Sequence, residues 1–134
     1  MNIKRHGIIL NTENFRDCVA FYRDAVGLRV AEEINPADDE ITVFDLDGAY
    51  LVVETGGNAA NGVKDVESNP TKFRFNVEDV EASATTLRSR AIAVEVFEYD
   101  WGTTAEFFDP DGNRCALRSQ RGFGIQAQDS LKHL

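Results

Sequence analysis

The sequence predicts an α+β domain built from two copies of a βαβββ unit, whose curved sheets pair to enclose a small-molecule cavity. One strand, one helix and three further strands occur in this order twice along the 134 residues. A constant shift places the helix-capping Asn14 on Asp79, and nearly the same shift places the Asp47-Gly48 turn on Asp111-Gly112. A single unit would leave one face of its sheet bare, so we expect two units to pair.

The first unit begins with a strand over Lys4–Thr12, followed by a helix that runs to about Val26. Asn14 is a good N-cap for this helix, and Gly27 is expected to stop it at the C′ position. Three strands follow, at Leu28–Ile34, Glu40–Leu46 and Tyr50–Thr55. Asp47-Gly48 predicts a tight hairpin between the last two strands.

The second unit follows a connection rich in Gly, Asn and charge, Gly56–Pro70. Its predicted elements are the strand Thr71–Val77, the helix Val80–Arg90 behind the cap Asp79, and the strands Ala93–Tyr99, Thr103–Phe108 and Asn113–Ser119. The tail Gln120–Leu134 has no clear period, which is typical of a short helix or of disorder. We therefore expect a single domain over residues 1–134, with modules at 3–55 and 71–119, a linker at 56–70 and a tail at 120–134.

Composition narrows the functional classes. The net charge of −9 and the isoelectric point near 4.6 argue against nucleic-acid binding, because little would neutralise phosphates. The sequence has no apolar run of the ~20 residues that span a bilayer and no signal-peptide core, which predicts a cytoplasmic protein without membrane contact. Cys18 and Cys115 lie in periodic apolar segments and are expected to be buried thiols.

Two stretches, GIILNTENFRDCVAFYRDAVGL near the start and WGTTAEFFDPDGNRCAL near the end, resemble the vicinal oxygen chelate superfamily. That superfamily includes glyoxalase I, bleomycin-resistance proteins, fosfomycin-resistance proteins and extradiol dioxygenases. The resemblance covers residues 3 to 119. It implies two βαβββ modules whose curled mixed sheets surround a cleft, the glyoxalase/bleomycin-resistance fold. It also implies a divalent metal held by one residue from the first and last strand of each module.

The positions that the resemblance assigns to metal ligands lack suitable side chains. Seven residues before each cap stand Gly7 and Lys72, and four residues after each hairpin glycine stand Val52 and Ala116. Gly, Ala and Val have no donor atom in their side chains, and Lys is normally protonated. We therefore expect no metal and no other cofactor.

Two residues offer an alternative metal site. His6 neighbours Gly7, but moving it into the cavity requires a one-residue slip that would turn every side chain of the strand to the other face. Glu54 lies two residues beyond Val52 on the same face and is expected to reach the cavity as a hydrogen-bonding or surface group. Together with Glu106, Glu54 is a plausible proton-transfer group, but the sequence identifies no catalytic residue.

Strand alternation predicts which side chains line the cavity. The predicted lining is Ile9, Asn11, Tyr50, Val52, Glu54, Lys72, Arg74, Asn76, Arg114, Ala116 and Arg118. Arg74, in the middle of a strand, is expected either to pair with Glu54 or to meet an anionic ligand. Tyr50, Tyr99 and Trp101 either form an aromatic wall or pack as ordinary core or rim. The candidate ligand-binding residues are Asn11, Tyr50, Glu54, Arg74, Asn76, Tyr99, Trp101 and Arg114.

Three functional hypotheses remain. The first is a metal-independent protein of the bleomycin-resistance type that sequesters an antibiotic or metabolite in its cleft. The second is a glyoxalase-like lyase, an isomerase or a dioxygenase with a non-standard divalent metal site. The third is a family member whose cleft has no dedicated small-molecule role. In each case the open sheet edges and the resemblance predict a homodimer.

Overall fold

The computed structural model describes residues 2–58 and 62–123. The chain divides into two compact units. The first consists of Met1–Val63 together with the loop Asp109–Gly112, and the second consists of Lys64–Phe108 together with Asn113–Leu134. No helix in these described ranges is long and apolar enough to cross a membrane.

The first unit contains a four-stranded mixed sheet and one helix. Its elements are β1 (His6–Asn11), α1 (Phe15–Ala20), a π-helical turn (Phe21–Ala25), β2 (Arg29–Ile34), β3 (Ile41–Asp45) and β4 (Ala49–Glu54). The strand order is β1-β4-β3-β2, with β1 parallel to β4 and the other neighbours antiparallel. This arrangement is the predicted βαβββ unit.

One face of the first sheet forms the core of this unit. Alternate residues of β3 and β4 are buried there, including Phe44, Leu51 and Val53, each with no exposed surface. The ring of Tyr22, which follows α1, lies 6.4 Å from the ring of Phe44. The helical segment therefore covers this face, and we call the opposite face the helix-free face of the first sheet.

The two ends of the first helical segment differ in how well the sequence predicted them. Gly27 ends it with a φ of 87°, as predicted. Asn14 occupies the N-cap position, but its side chain accepts no hydrogen bond from the helix. Its Nδ2 instead donates to Oδ1 of Asp111 at 2.7 Å. The capping role predicted for Asn14 is therefore wrong, because its side chain is hydrogen-bonded to a buried carboxylate that is distant in sequence.

The second unit repeats the same order of elements. They are β5 (Phe73–Val77), α2 (Val80–Ser89), β6 (Glu95–Tyr99), β7 (Gly102–Phe108) and β8 (Arg114–Ser119). The strand order is β5-β8-β7-β6, with β5 parallel to β8. Asp79 caps α2 as predicted, because its Oδ1 accepts a 3.0 Å hydrogen bond from the backbone N–H of Ala82.

The strand registers confirm the internal repeat and the α+β class. Ile9 pairs with Val52 in the first sheet, and the equivalent residue Arg74 pairs with Ala116 in the second. The pair Asn11 and Glu54 corresponds in the same way to Asn76 and Arg118. The predicted strands differ from the observed ones by one or two residues at most ends. The tail beyond residue 123 lies outside the described residues.

Candidate functional site

The helix-free face of the first sheet carries three of the predicted ligand-binding residues. Register pairs Gly7 with Tyr50, Ile9 with Val52, and Asn11 with Glu54, so strand alternation puts all six residues on this face. Asn11 Nδ2 donates to Glu54 Oε1 at 3.0 Å and to the backbone oxygen of Thr55 at 3.3 Å. Asn11 and Glu54 therefore form one amide–carboxylate pair at the end of the sheet.

The ring of Tyr50 covers Gly7, its neighbour on β1. A β-carbon built on Gly7 would lie 2.3 Å from two carbons of the Tyr50 ring. Contacts this short are not tolerated, so the ring takes the space that any side chain at position 7 would need. The glycine and the tyrosine are thus complementary in shape.

His6 lies on the other side of β1. It pairs with Ala49, one position away from the Gly7–Tyr50 pair, and successive residues of a strand point to opposite faces. His6 is exposed. The register of β1 therefore does not show the one-residue slip that would bring His6 to the face of Ile9 and Asn11.

In the second unit, the helix-free face lies opposite the apolar side chains of Ala105, Phe107 and Leu117 that pack with α2. Lys72, just before β5, forms an ion pair with Glu106 of β7, with Nζ and Oε1 2.8 Å apart. Their side chains are 30% and 33% exposed. A protonated lysine donates hydrogen bonds and has no lone pair, whereas a metal ion requires a ligand with a lone pair.

These positions do not fit the divalent metal that the family resemblance implies. Position 7 is closed by the Tyr50 ring, Lys72 is bound to Glu106, and Val52 and Ala116 offer only hydrocarbon. Over the described ranges, no group of three or more His, Cys, Asp and Glu side chains is placed to hold a metal ion. The chemistry available on these faces is hydrogen bonding, ion pairing and stacking.

Arg118 is the centre of a cation–aromatic cluster on the second sheet. Only 2% of its surface is exposed. The central carbon of its guanidinium lies 4.9 Å from the centre of the Trp101 ring and 5.0 Å from that of Phe123. Its nitrogens also donate to the backbone oxygens of Ser119 and, at 3.3 Å, of Trp101.

An aromatic row continues from Trp101 along β6. The rings of Tyr99 and Trp101 are nearly parallel, at 6°, with centres 4.8 Å apart. Phe97 and Tyr99 are 6.5 Å apart and also stacked. These three side chains are 39%, 49% and 40% exposed in the order Phe97, Tyr99 and Trp101. The structure therefore brings Tyr99 and Trp101 together, whereas Tyr50 lies in the first unit.

Several polar groups of the second sheet lack partners. Arg74 is exposed, and its guanidinium lies 5.9 Å from the Phe123 ring but forms no hydrogen bond or ion pair with a described residue. Among the same residues, the buried Nε of Arg114 and the buried Oγ1 of Thr104 also have no hydrogen-bond partner. Asn76 is satisfied, because its Nδ2 donates to Oε1 of Gln120 at 3.1 Å.

A cavity of about 600 Å³ lies at the end of the second sheet, beside the start of α2. Tyr99, Trp101 and Arg121 line it. The acidic residues that line it are Glu78, Asp79, Glu81, Glu98 and Asp100. Its polar surface is therefore mainly acidic, in contrast to the arginines near Phe123.

Sequence reasoning missed Phe123 as part of the site. The residue follows β8 in the RGFG stretch, where no apolar period signals a role. Its ring reaches two arginines only because the chain turns after β8, with the N–H of Phe123 donating to the oxygen of Gln120 at 3.1 Å. Arg118 was predicted to line the cavity but was not selected as a ligand-binding residue.

Known proteins share this architecture. A sequence model of the Glyoxalase/Bleomycin resistance protein/Dioxygenase superfamily matches residues 4–117. TnmS3 from Streptomyces sp. CB03234, described as an antibiotic binding protein, superposes with a TM-score of 0.69 at 20% identity, covering 89% of this chain and 98% of its own. Lactoylglutathione lyase from Agrobacterium tumefaciens gives 0.66 at 18% identity, with coverages of 89% and 95%.

The trypanothione-dependent glyoxalase I of Leishmania major gives a TM-score of 0.74 at 17% identity, with coverages of 99% and 97%. At these identities the likeness shows the fold alone. No curated protein matches the sequence significantly.

Proposed function

Because this chain belongs to the Glyoxalase/Bleomycin resistance protein/Dioxygenase superfamily, we propose that it binds a small molecule on the helix-free faces of its sheets without a metal ion. Its role is then sequestration of an antibiotic or a metabolite. The residues proposed to contact the ligand are Asn11, Tyr50, Glu54, Arg74, Asn76, Tyr99, Trp101 and Arg114.

The observation that carries the proposal is the contact between Tyr50 and Gly7. A family member that used a metal would need a donor side chain at position 7, and the ring at 2.3 Å from a built β-carbon leaves no room for one. At a second metal-ligand position of the family, Lys72 is ion-paired with Glu106 and offers no donor to a metal. What remains on these faces suits recognition by hydrogen bonds, charge and stacking.

The fold is compatible with this function. TnmS3, which shares the fold over most of this chain, is described as an antibiotic binding protein. The exposed stacked pair of Tyr99 and Trp101 offers the flat apolar surface that a polycyclic or conjugated molecule would cover. The carboxylate of Glu54 and the amide of Asn11 offer directional hydrogen bonds on the other sheet.

The alternative is a glyoxalase-like lyase, an isomerase or a dioxygenase with a non-standard metal site, and it has less support. His6 points away from the face that carries Gly7 and Ile9. Glu54 belongs to no group of three or more His, Cys, Asp and Glu side chains that could hold a metal ion in the described part of the chain. The structural likeness to two glyoxalase-type enzymes is a likeness of fold.

Metal analysis combined with a thermal-shift screen tests the proposal. Protein purified without chelator and dialysed is expected to hold substoichiometric nickel, zinc, iron and manganese. A panel of antibiotics and thiol conjugates is expected to contain compounds that raise Tm, equally with and without EDTA, since a ligand at 100 times its Kd adds about 2.7 kcal/mol of stability. Stabilisation that needs added metal would instead support the enzyme.

We also propose that the protein is a cytoplasmic homodimer. Both cysteines are buried thiols, as a reducing compartment would allow. Ile9 and Phe108, which are not among the proposed ligand contacts, expose 56% and 41% of their surface, and a second copy would cover them.

A further inference from the structure

We infer that the helix-free face of the second sheet holds a subsite for a planar aromatic anion, and that the ring of Phe123 fills this subsite when no ligand is bound. The inference rests on the proposed small-molecule binding and specifies the chemical class of the ligand. It also assigns a role to Phe123, Arg118 and Thr104.

The first step is the charge of this face. Arg74 of β5 and Arg114 and Arg118 of β8 all lie on it, because Arg74 pairs with Ala116 and alternate residues of β8 share a face. The nearby carboxylate of Glu106 is already bound to Lys72. The cationic groups of Arg74 and the Nε of Arg114 have no acceptor among the described residues, although the whole chain carries a charge of −9.

The second step is a buried hydroxyl without a partner. Thr104 lies opposite Arg118 in the sheet and is 5% exposed, and its Oγ1 has no hydrogen-bond partner in the described part of the chain. A buried polar atom left unpaired destabilises the protein, so an acceptor or donor that reached it would be favoured. An acceptor group that reached this face would meet the hydroxyl together with the guanidinium of Arg74 and the Nε of Arg114.

The third step is the position of Phe123. Its ring lies within cation–π range of two guanidinium groups, at 5.0 Å from Arg118 and 5.9 Å from Arg74. The residue is 36% exposed. A phenyl ring makes cation–π contacts with these guanidinium groups but supplies no hydrogen-bond acceptor to their N–H groups.

These steps define the ligand. A flat ring in the place of Phe123 would keep the stacking on Arg118, and an attached carboxylate or sulfonate would add the hydrogen bonds that Arg74, Arg114 and Thr104 lack. A cationic ligand would be repelled by the same guanidinium groups, and a neutral ligand would lack the negative charge that attracts them. The subsite therefore selects a planar aromatic anion.

The experiment compares three naphthalene probes of equal shape by titration calorimetry. We expect 2-naphthoate to bind at least about tenfold more tightly than naphthalene-2-carboxamide, because only the carboxylate adds ionic attraction and two acceptor oxygens to the hydrogen bonds from arginine. 2-Naphthylmethylammonium is expected to bind most weakly. Trp101 is the single tryptophan of the chain and contacts Arg118, so 2-naphthoate at this face should quench its fluorescence, and the quenching should weaken in Arg74→Gln.

Variants separate the roles of the residues. Arg74→Gln, at an exposed position, should weaken 2-naphthoate about tenfold and leave the carboxamide unchanged, whereas Arg16→Gln, an exposed arginine of the first unit, should change neither. Phe123→Ala should strengthen 2-naphthoate severalfold, because the ligand no longer displaces a ring. Each variant's Tm identifies any loss of folding.

Three results would overturn the inference: equal affinity for anion and carboxamide, tighter binding of the ammonium probe, or weaker 2-naphthoate binding to a folded Phe123→Ala variant. None of these would affect the proposed function if the broader panel still contains compounds that bind without metal. If no compound binds with or without EDTA, the proposed function fails as well.

Discussion

The ring of Tyr50 lies against the backbone of Gly7, its partner on the neighbouring parallel strand, so closely that no β-carbon fits between them. Gly7 has no positive φ, so the glycine is required here by space and not by backbone conformation. The position that the family resemblance assigns to a metal ligand is thus closed by packing within a single sheet.

Replacing Gly7 with alanine should destabilise the protein. The new methyl group must displace the Tyr50 ring, and forced overpacking costs about 1–3 kcal/mol. Thermal or urea unfolding measures the loss. Ile9→Ala, on the same face of β1 but 56% exposed, serves as the matched control and should cost less.

A double-mutant cycle identifies the cause. In a Tyr50→Ala background the added methyl group has room, so Gly7→Ala should be close to neutral. An equal cost of Gly7→Ala with and without the tyrosine ring would show that the glycine is needed for another reason.

Exchanging amide and carboxylate should destabilise the protein at one N-cap position, Asn14, and have little effect at the other, Asp79. Asn14→Asp places a carboxylate 2.7 Å from Asp111, which is only 5% exposed, and should cost about 1–3 kcal/mol. Asp79→Asn keeps an oxygen that can accept from Ala82 N–H, so it should change stability by a few tenths of a kcal/mol. Urea unfolding at neutral pH compares the two variants. Equal, small effects would mean that Asn14 acts as an ordinary cap.

The sequence predicted those features that depend on local patterns. Alternation along the strands gave the correct faces for Asn11 and Glu54, and the Asp-Gly turn after β3 formed with positive φ at Asp47 and Gly48, as such hairpins require. Local pattern could not show that Asn14 would meet Asp111, because 97 residues separate them.

The cation–aromatic cluster shows the same limit. Strand alternation placed Arg118 on the correct face, but its near-complete burial follows from rings at positions 101 and 123. Phe123 lies beyond the last strand, and its place depends on how the chain turns after β8. Periodicity carries no information about such a turn, so the sequence gave no reason to select Phe123.

Self-association should be measurable directly. Sedimentation equilibrium at micromolar concentration is expected to give a mass of about twice 14.9 kDa, because Ile9 and Phe108, exposed apolar residues outside the proposed ligand contacts, favour burial against a second copy. Ile9→Glu should weaken the dimer, because it places a charge on the most exposed of these apolar residues, which is 56% exposed. Arg16→Glu, also exposed, serves as a control. A mass of 14.9 kDa for the unmodified chain would refute the homodimer.

The thiol of Cys18 should make stability fall at alkaline pH. Burial raises its pKa from 9.0 to about 12, and the nearby carboxylates of Asp109 and Asp111 contribute to the rise, while the hydrogen bond to Thr12 opposes it. The thiol ionises near pH 9 in the unfolded state and only near pH 12 in the folded state. Between these two pH values the unfolded state binds fewer protons than the folded state. The free energy of unfolding therefore decreases as pH rises. The thiol contributes a slope of at most about 1.4 kcal/mol per pH unit. Urea unfolding from pH 8 to 10 should therefore show a steeper decline for the wild type than for Cys18→Ala, and parallel declines would show that the folded thiol ionises as readily as the unfolded one.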